Sequence, residues 1–167
     1  MAFKPFKTLL FGFAFSPSLK ANVFEVMRLA HLFNASLIFV HVGEKTDEKE
    51  RLFNLLIDEC HEKSKIINVY WRDGEPVKTL SKACESFKVD LLLLGALKRE
   101  NVLKFYLGSI ARKLTRGAPC SVLLMLNPSV ERQHCKHIVV NGFDSPQTKE
   151  TVEASFYVAK SLGSHNI

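Results

Sequence analysis

A chain of 167 residues is long enough for one well-buried domain and too short for two ordinary ones. With 47% hydrophobic and 24% charged residues, eight glycines, six prolines and no low-complexity tract, the composition argues against disorder. The net charge of +6 at pH 7 favours anionic partners, and no apolar run approaches the roughly 20 residues a membrane span needs, so no membrane segment is expected.

Lys4 and Lys7 followed by "TLLFGFAFS" imitate a secretory signal. A similar layout recurs as "KHIVVNGFDSP" at residues 136–146, where no signal peptide could act, so residues 8–15 are read as a buried first strand. Ser16 then supplies a helix N-cap and Pro17 the first helical position, and Val23, Val26, Met27, Ala30 and Phe33 share one face of the helix that follows. Residues 37–42 and 66–71 are short apolar runs of the kind covered on both faces of a parallel sheet. Pro76 opens a second helix with Val77, Leu80, Cys84 and Phe87 on one side. Residues 91–94 form the fourth strand. A helix beginning near Ser109 stops at Gly117 and Pro119, and residues 121–126 form the fifth strand. Strands separated by helices demand right-handed parallel crossovers, which makes residues 1–127 a doubly wound α/β domain: a five-stranded parallel sheet with helices on both faces.

Residues 128–135 have a proline, several polar residues and no period, and read as a linker. Sliding the chain by 129 positions then lays Lys136, Ser145, Pro146, Lys149, Val152, Ala159 and Ile167 on Lys7, Ser16, Pro17, Lys20, Val23, Ala30 and Ile38 without a gap. Residues 136–167 are therefore expected to be the start of a second, incomplete β-α repeat. Such a unit cannot bury its apolar faces alone, so it docks on the first domain or on another chain, or is mobile.

The loop from Gly95 to Gly108-Ser109 leaves the carboxyl end of a strand and enters a helix. In open parallel sheets ligands bind at that end, and the first N–H groups of a helix attract anions. Taken singly these residues are also ordinary strand-end and helix-cap features. The spacing Gly95, two residues, Lys98, nine residues, Gly108-Ser109 keeps the pattern G-x2-G-x9-G-[ST], and "GSIARKLTRGAPCSVLLM" and "RDGEPVKTLSKACESFKVDLLLLG" flank it. On these residues the sequence resembles the universal stress protein family, α/β domains of the adenine-nucleotide α-hydrolase-like class, over residues 7–126, and residues 136–167 look like the start of the second repeat of a tandem member. The resemblance implies that Gly95, Gly108 and Ser109 face nucleotide phosphates and that Val42 lies near the adenine. The ligand it implies is ATP with magnesium, with weak ATPase activity at most; the residues themselves establish no cofactor. Two positions depart from the pattern. Lys98 stands where the nucleotide-binding branch has glycine, as a solvated loop lysine or as a cation for phosphate. Ala14 stands where that branch has an aspartate contacting the nucleoside, and in the second copy Phe143 takes that place with Asp144 one residue late.

Lys98, Arg99, Lys104, Arg112, Lys113 and Arg116 face only Glu100 between residues 98 and 116, but no aromatic series accompanies them, so nucleic acid binding is not expected. His134, Cys135 and His137 lack a fourth ligand and paired spacing, and no metal site is expected. His41 reads as a packed histidine. No nucleophile, base and orienting acid come together, so catalytic residues are not assigned. Cys60, Cys84, Cys120 and Cys135 form no CxxC pair, which suits reduced thiols in a cytoplasmic protein. The leading reading is a binding and regulatory module with a degenerate phosphate loop. It associates, as the resemblance implies, through its last strand (Ser121, Val122, Leu123, Leu124, Met125), as a homodimer or between tandem repeats. The alternatives are an ATP-binding stress protein with slow or no hydrolysis and a structural domain with a vestigial cradle.

Overall fold

The computed structural model describes residues 3–60, 65–96 and 108–164. They fall into two compact units, Lys7–Val130 and a second made of Met1–Phe6 with Glu131–Ile167.

In the larger unit β1 (Thr8–Phe13), β2 (Ser36–Val42), β3 (Lys65–Arg72), β4 (Leu91–Gly95) and β5 (Ser121–Met125) form one sheet in the order β3-β2-β1-β4-β5. Every pairing is parallel, with Leu9 opposite Leu37 on one side of β1 and opposite Leu91 on the other. The helices α1 (Leu19–Leu32), α2 (Asp47–Glu59), α3 (Pro76–Ser86) and α4 (Ser109–Gly117) supply the crossovers. Because side chains alternate along a strand, each strand feeds two cores. Leu10, Ile38, Val40, Leu92 and Leu94 pack with Leu80, Ala83 and Cys84 of α3 and with Ala111 and Leu114 of α4. On the opposite face Phe53 of α2 is fully buried and stacks on Phe13 at 4.1 Å between ring centroids. The Asp90 carboxylate, just before β4, accepts from the backbone N–H groups of Lys7 and Thr8 at 2.9 and 2.8 Å, which pins the start of β1 to the start of β4.

Two expectations need correction, and one helix was not expected. Helix α1 begins at Leu19 with Ser18 as N-cap, because Pro17 and Ser18 form a turn closed by Leu19 N–H donating to Ser16 O at 3.0 Å. Strand β1 correspondingly ends at Phe13 rather than at residue 15. Helix α2 was not legible as a periodic apolar stripe: Phe53 is its one buried residue, and Thr46 caps it through Lys49 N–H ahead of Asp47, Glu48 and Glu50 in the first turn.

In the smaller unit α5 (Pro146–Leu162) starts after Ser145 with proline in its first turn, as expected, and ends on Gly163 with φ +72°. The strand expected before it does not form: residues 136–143 carry an isolated bridge at His137, and Val139 is 94% exposed. A single strand has no neighbour to complete a ladder within this unit. Phe3, Phe6 and Tyr157 form an aromatic cluster, and Phe3 N–H donates to Glu153 at 2.8 Å.

Candidate functional site

Strand order reverses between β1 and β4, and parallel sheets open a crevice at the carboxyl ends of strands at such a point. A cavity of about 390 Å³ lies there. Its walls come from the end of β1 (Gly12, Phe13, Ala14), the ends of β2 (Val40, Val42) and β4 (Leu94, Gly95, Ala96), and the starts of α1, α3 and α4. Of the residues expected from sequence, Val42, Gly95, Gly108 and Ser109 are brought together on its lining, and so is Ala14. Lys98, Arg99 and Lys104 lie outside the described residues.

Helix α4 presents its amino end to the cavity. Gly108 is the N-cap, with φ −57° and ψ 156°, and offers no side chain to the first turn, which contains no acidic residue. The first helical N–H groups have no carbonyl four residues back, so they face the cavity end with partial positive charge. Arg112 N–H, one turn in, donates to Gly108 O at 3.0 Å and closes the ladder. Ser109 is exposed at the mouth and adds a hydroxyl. Helix α3 borders the cavity at Pro76 and Leu80. Its cap is Glu75, whose carboxylate accepts from Val77 N–H at 3.2 Å and Lys78 N–H at 2.8 Å; the Lys78 bond, more than any other effect, holds that carboxyl below the usual range.

Asn22 was not anticipated. It lies in α1, is 4% exposed and lines the cavity. Its Nδ2 donates to Ser18 O at 3.0 Å and lies 3.3 Å from Ser18 Oγ, while its Oδ1 is buried with no hydrogen-bond partner among the described residues. A Cβ on Gly95 would stand 2.7 Å from that Oδ1 and 2.8 Å from Nδ2, so any side chain at 95 would have to displace the carboxamide that occupies its place. The one available signal was an amide placed among the apolar positions of an amphipathic helix. Ser16, Ser18 and Gly12, also on the lining, carried none.

His41 is packed, as expected. It is buried, its Nδ1 is 3.0 Å from Phe13 O, and its ring sits among those of Phe13, Phe15 and Trp71 at 5.1 to 5.2 Å, off the cavity lining. The carbonyl only accepts, so Nδ1 carries the proton.

The described lining residues include no carboxylate, imidazole, thiol or ammonium group. Hydroxyls, one carboxamide and backbone N–H groups can bind and orient a ligand. They supply neither a general base nor the carboxylates through which magnesium is commonly held.

The universal stress protein family model matches residues 43–125. No curated protein matches the chain. Among solved structures, a universal stress protein in complex with cAMP has a TM-score of 0.61 at 22% identity, covering 73% of this chain and 98% of its own. A universal stress protein from Lactobacillus plantarum has a TM-score of 0.55 at 19% identity, with 73% and 99% covered. One from Arabidopsis thaliana with AMP bound has a TM-score of 0.51 at 14% identity, with 71% and 90% covered. The five-stranded parallel sheet with helices on both faces is the fold this chain shares with these structures, and residues 43–125 are similar to the universal stress protein family model.

Proposed function

We propose that this chain binds an adenine nucleotide in the switch-point cavity, as a ligand that is sensed rather than turned over. The observation that carries this reading is the union, in one cavity of about 390 Å³, of the open amino end of α4 with Gly108 and Ser109, the bare backbone of Gly95 and the wall at Val42. That volume falls within the range of small-molecule pockets. The phosphates sit on the α4 N-terminus and the base lies toward Val42; structures of the same fold hold cAMP and AMP. Ala14 withholds a carboxylate from the nucleoside, which lowers affinity without closing the site. Magnesium, if it enters, arrives on the phosphates, since the described lining residues do not provide a carboxylate for it.

The test starts from protein purified without added nucleotide. Denaturation and chromatography identify any released ligand, and the emptied protein is then titrated calorimetrically with ATP, AMP and cAMP. Saturable binding of at least one of them is expected, with Ser109→Ala weakening it about 3- to 10-fold, the value of one ordinary hydrogen bond made at an exposed mouth. An empty protein that takes up none of the three refutes the proposal.

A second reading rests on β5. It pairs with β4 alone in the sheet, and Val122, Leu123 and Leu124 are half-buried, so the strand offers an apolar edge of the kind proteins cover. Self-association through Ser121, Val122, Leu123, Leu124 and Met125 would cover it. Sedimentation equilibrium then shows a dimer that Leu123→Lys converts to monomer; a monomeric parent protein removes this reading and leaves nucleotide binding untouched.

A further inference from the structure

The most anomalous polar atom among the described residues is Oδ1 of Asn22. A buried acceptor without a partner costs free energy, and its persistence calls for a physical reason. Its orientation is not arbitrary. Ser18 O, 3.0 Å from the other amide atom, can only accept, so the atom facing it must be the donor Nδ2, and the atom left over must be the acceptor. Ser18 O also accepts from Asn22 N–H at 2.9 Å, so both backbone and side chain of Asn22 hold this arrangement in place. Ser18 Oγ, 3.3 Å from Nδ2, lies on the donor side of the amide as well. What remains, packed with the rest of the carboxamide against Gly95, is an unpaired acceptor on a residue that lines the cavity.

An acceptor repels phosphate oxygens and attracts O–H or N–H. With the anion seat at α4 and Val42 on β2, a donor on the ligand part lying along the β1–β4 end meets Asn22. In a nucleoside phosphate the neutral donors closest to the phosphate are the sugar hydroxyls. We propose that Asn22 Oδ1 accepts a hydrogen bond from a ligand sugar hydroxyl, which makes the cavity selective for ribonucleotides over their deoxy counterparts. This assignment rests on the nucleotide reading above and gives it a specificity. Oδ1 is shielded from water in the structure, so its bond to the ligand requires the carboxamide to turn about its Cβ–Cγ bond and to loosen the Nδ2 bond to Ser18 O, while the backbone N–H bond to Ser18 O stays. No Cβ at Gly95 stands in the way of the amide. A site built around a hydrogen bond to a hydroxyl discriminates against a ligand that lacks it, since the acceptor then stays unpaired.

The experiment titrates ATP, 2′-deoxy-ATP and 3′-deoxy-ATP into the emptied full chain and into Asn22→Leu. Leucine is close to asparagine in shape and leaves Ser18 O bonded to the residue 22 backbone N–H. In the parent protein at least one deoxy analogue is expected to bind about 3- to 30-fold more weakly than ATP. In Asn22→Leu the three should bind alike, with a melting temperature equal to or above that of the parent because the orphaned acceptor is gone. Equal affinity for all three in the parent overturns the assignment and leaves nucleotide binding standing, as does a hydroxyl preference that survives in Asn22→Leu. Failure of all three to bind the parent overturns the nucleotide reading itself and this assignment with it. If Asn22→Leu does not fold, Asn22→Ala takes its place with the same expectations: alike binding of the three ligands supports the assignment and a surviving hydroxyl preference overturns it.

Discussion

Replacing Gly95 with alanine would set a methyl carbon 2.7 Å from Oδ1 of Asn22, closer than real side-chain carbons come to such atoms. The carboxamide must then leave Gly95, and with it the bond to Ser18 O. We expect Gly95→Ala to lose about 1 to 3 kcal/mol of stability, the usual cost of overpacking, and to lose the preference for hydroxyl-bearing nucleotides. Chemical denaturation and the same titrations measure both; an alanine variant as stable and as selective as the parent would show that the amide does not need that space. The two thiols near the start of β4 differ for equally local reasons. Cys84 O accepts from Val89 N–H at 2.9 Å, and Cys120 precedes Ser121, which pairs with Leu91, so both flank the same turn. The hydrogen bond between them, followed by burial, pushes the Cys84 thiol far up, while the same bond lowers that of half-buried Cys120. Thiolate is the reactive form, so iodoacetamide at mildly alkaline pH should label Cys120 well before Cys84. Peptide mass spectrometry reads the order, and simultaneous labelling would mean that the two thiols do not share a proton in this way.

The elements around the cavity owe their positions to different kinds of signal. The five strands were legible because a parallel strand covered on both faces becomes a short apolar run, and 91–94 is such a run without a polar break. Helix α2 escaped because its grip on the sheet is one side chain. Phe53 is fully buried and stacks on Phe13, so Phe53→Ala should cost about 3 to 5 kcal/mol in urea unfolding, whereas the neighbouring Leu55, 58% exposed, should tolerate alanine. The two-residue delay in α1 came from Pro17 and Ser18 forming a turn before the helix, a choice that Ser-Pro alone leaves open. Asn22 was invisible for a related reason: helical periodicity places it on the inward side, but its importance depends on Gly95, 73 positions away in sequence, and no local pattern encodes that approach. At α3 the cap has a pH signature. The Glu75 carboxyl is held below its usual value by its bonds to Lys78 and Val77, so its contribution is complete above the unfolded carboxylate pKa and fades as pH falls through the lowered folded one. Glu75→Gln, which keeps one acceptor oxygen and no charge, should therefore lower the melting temperature at neutral pH, leave it little changed below the folded carboxyl pKa, and so flatten the acid limb of the thermal stability curve. An unaltered acid limb would assign that limb to other carboxylates.

Over the whole molecule the charge of +6 and the open end of α4 act in the same direction on an anion. Nucleotide affinity should fall as sodium chloride is raised from 20 to about 500 mM, because screening shortens the reach of that field from tens of ångströms to a few. The hydroxyl selectivity, a short-range contact in a buried wall, should persist across the same range. The strand order β3-β2-β1-β4-β5 explains why residues from six elements converge: the reversal beside β1 opens the crevice, and the helices that follow the strands begin at its rim. The most direct measurement is an amide ¹H–¹⁵N correlation spectrum of the labelled full chain with and without saturating ATP. Nucleotide in the switch-point cavity should shift signals of Gly12, Asn22, Val42, Gly95, Gly108 and Ser109, with the side-chain amide of Asn22 among them. An unchanged spectrum, or shifts that avoid the ends of β1 and β4 and the first turn of α4, would contradict that placement.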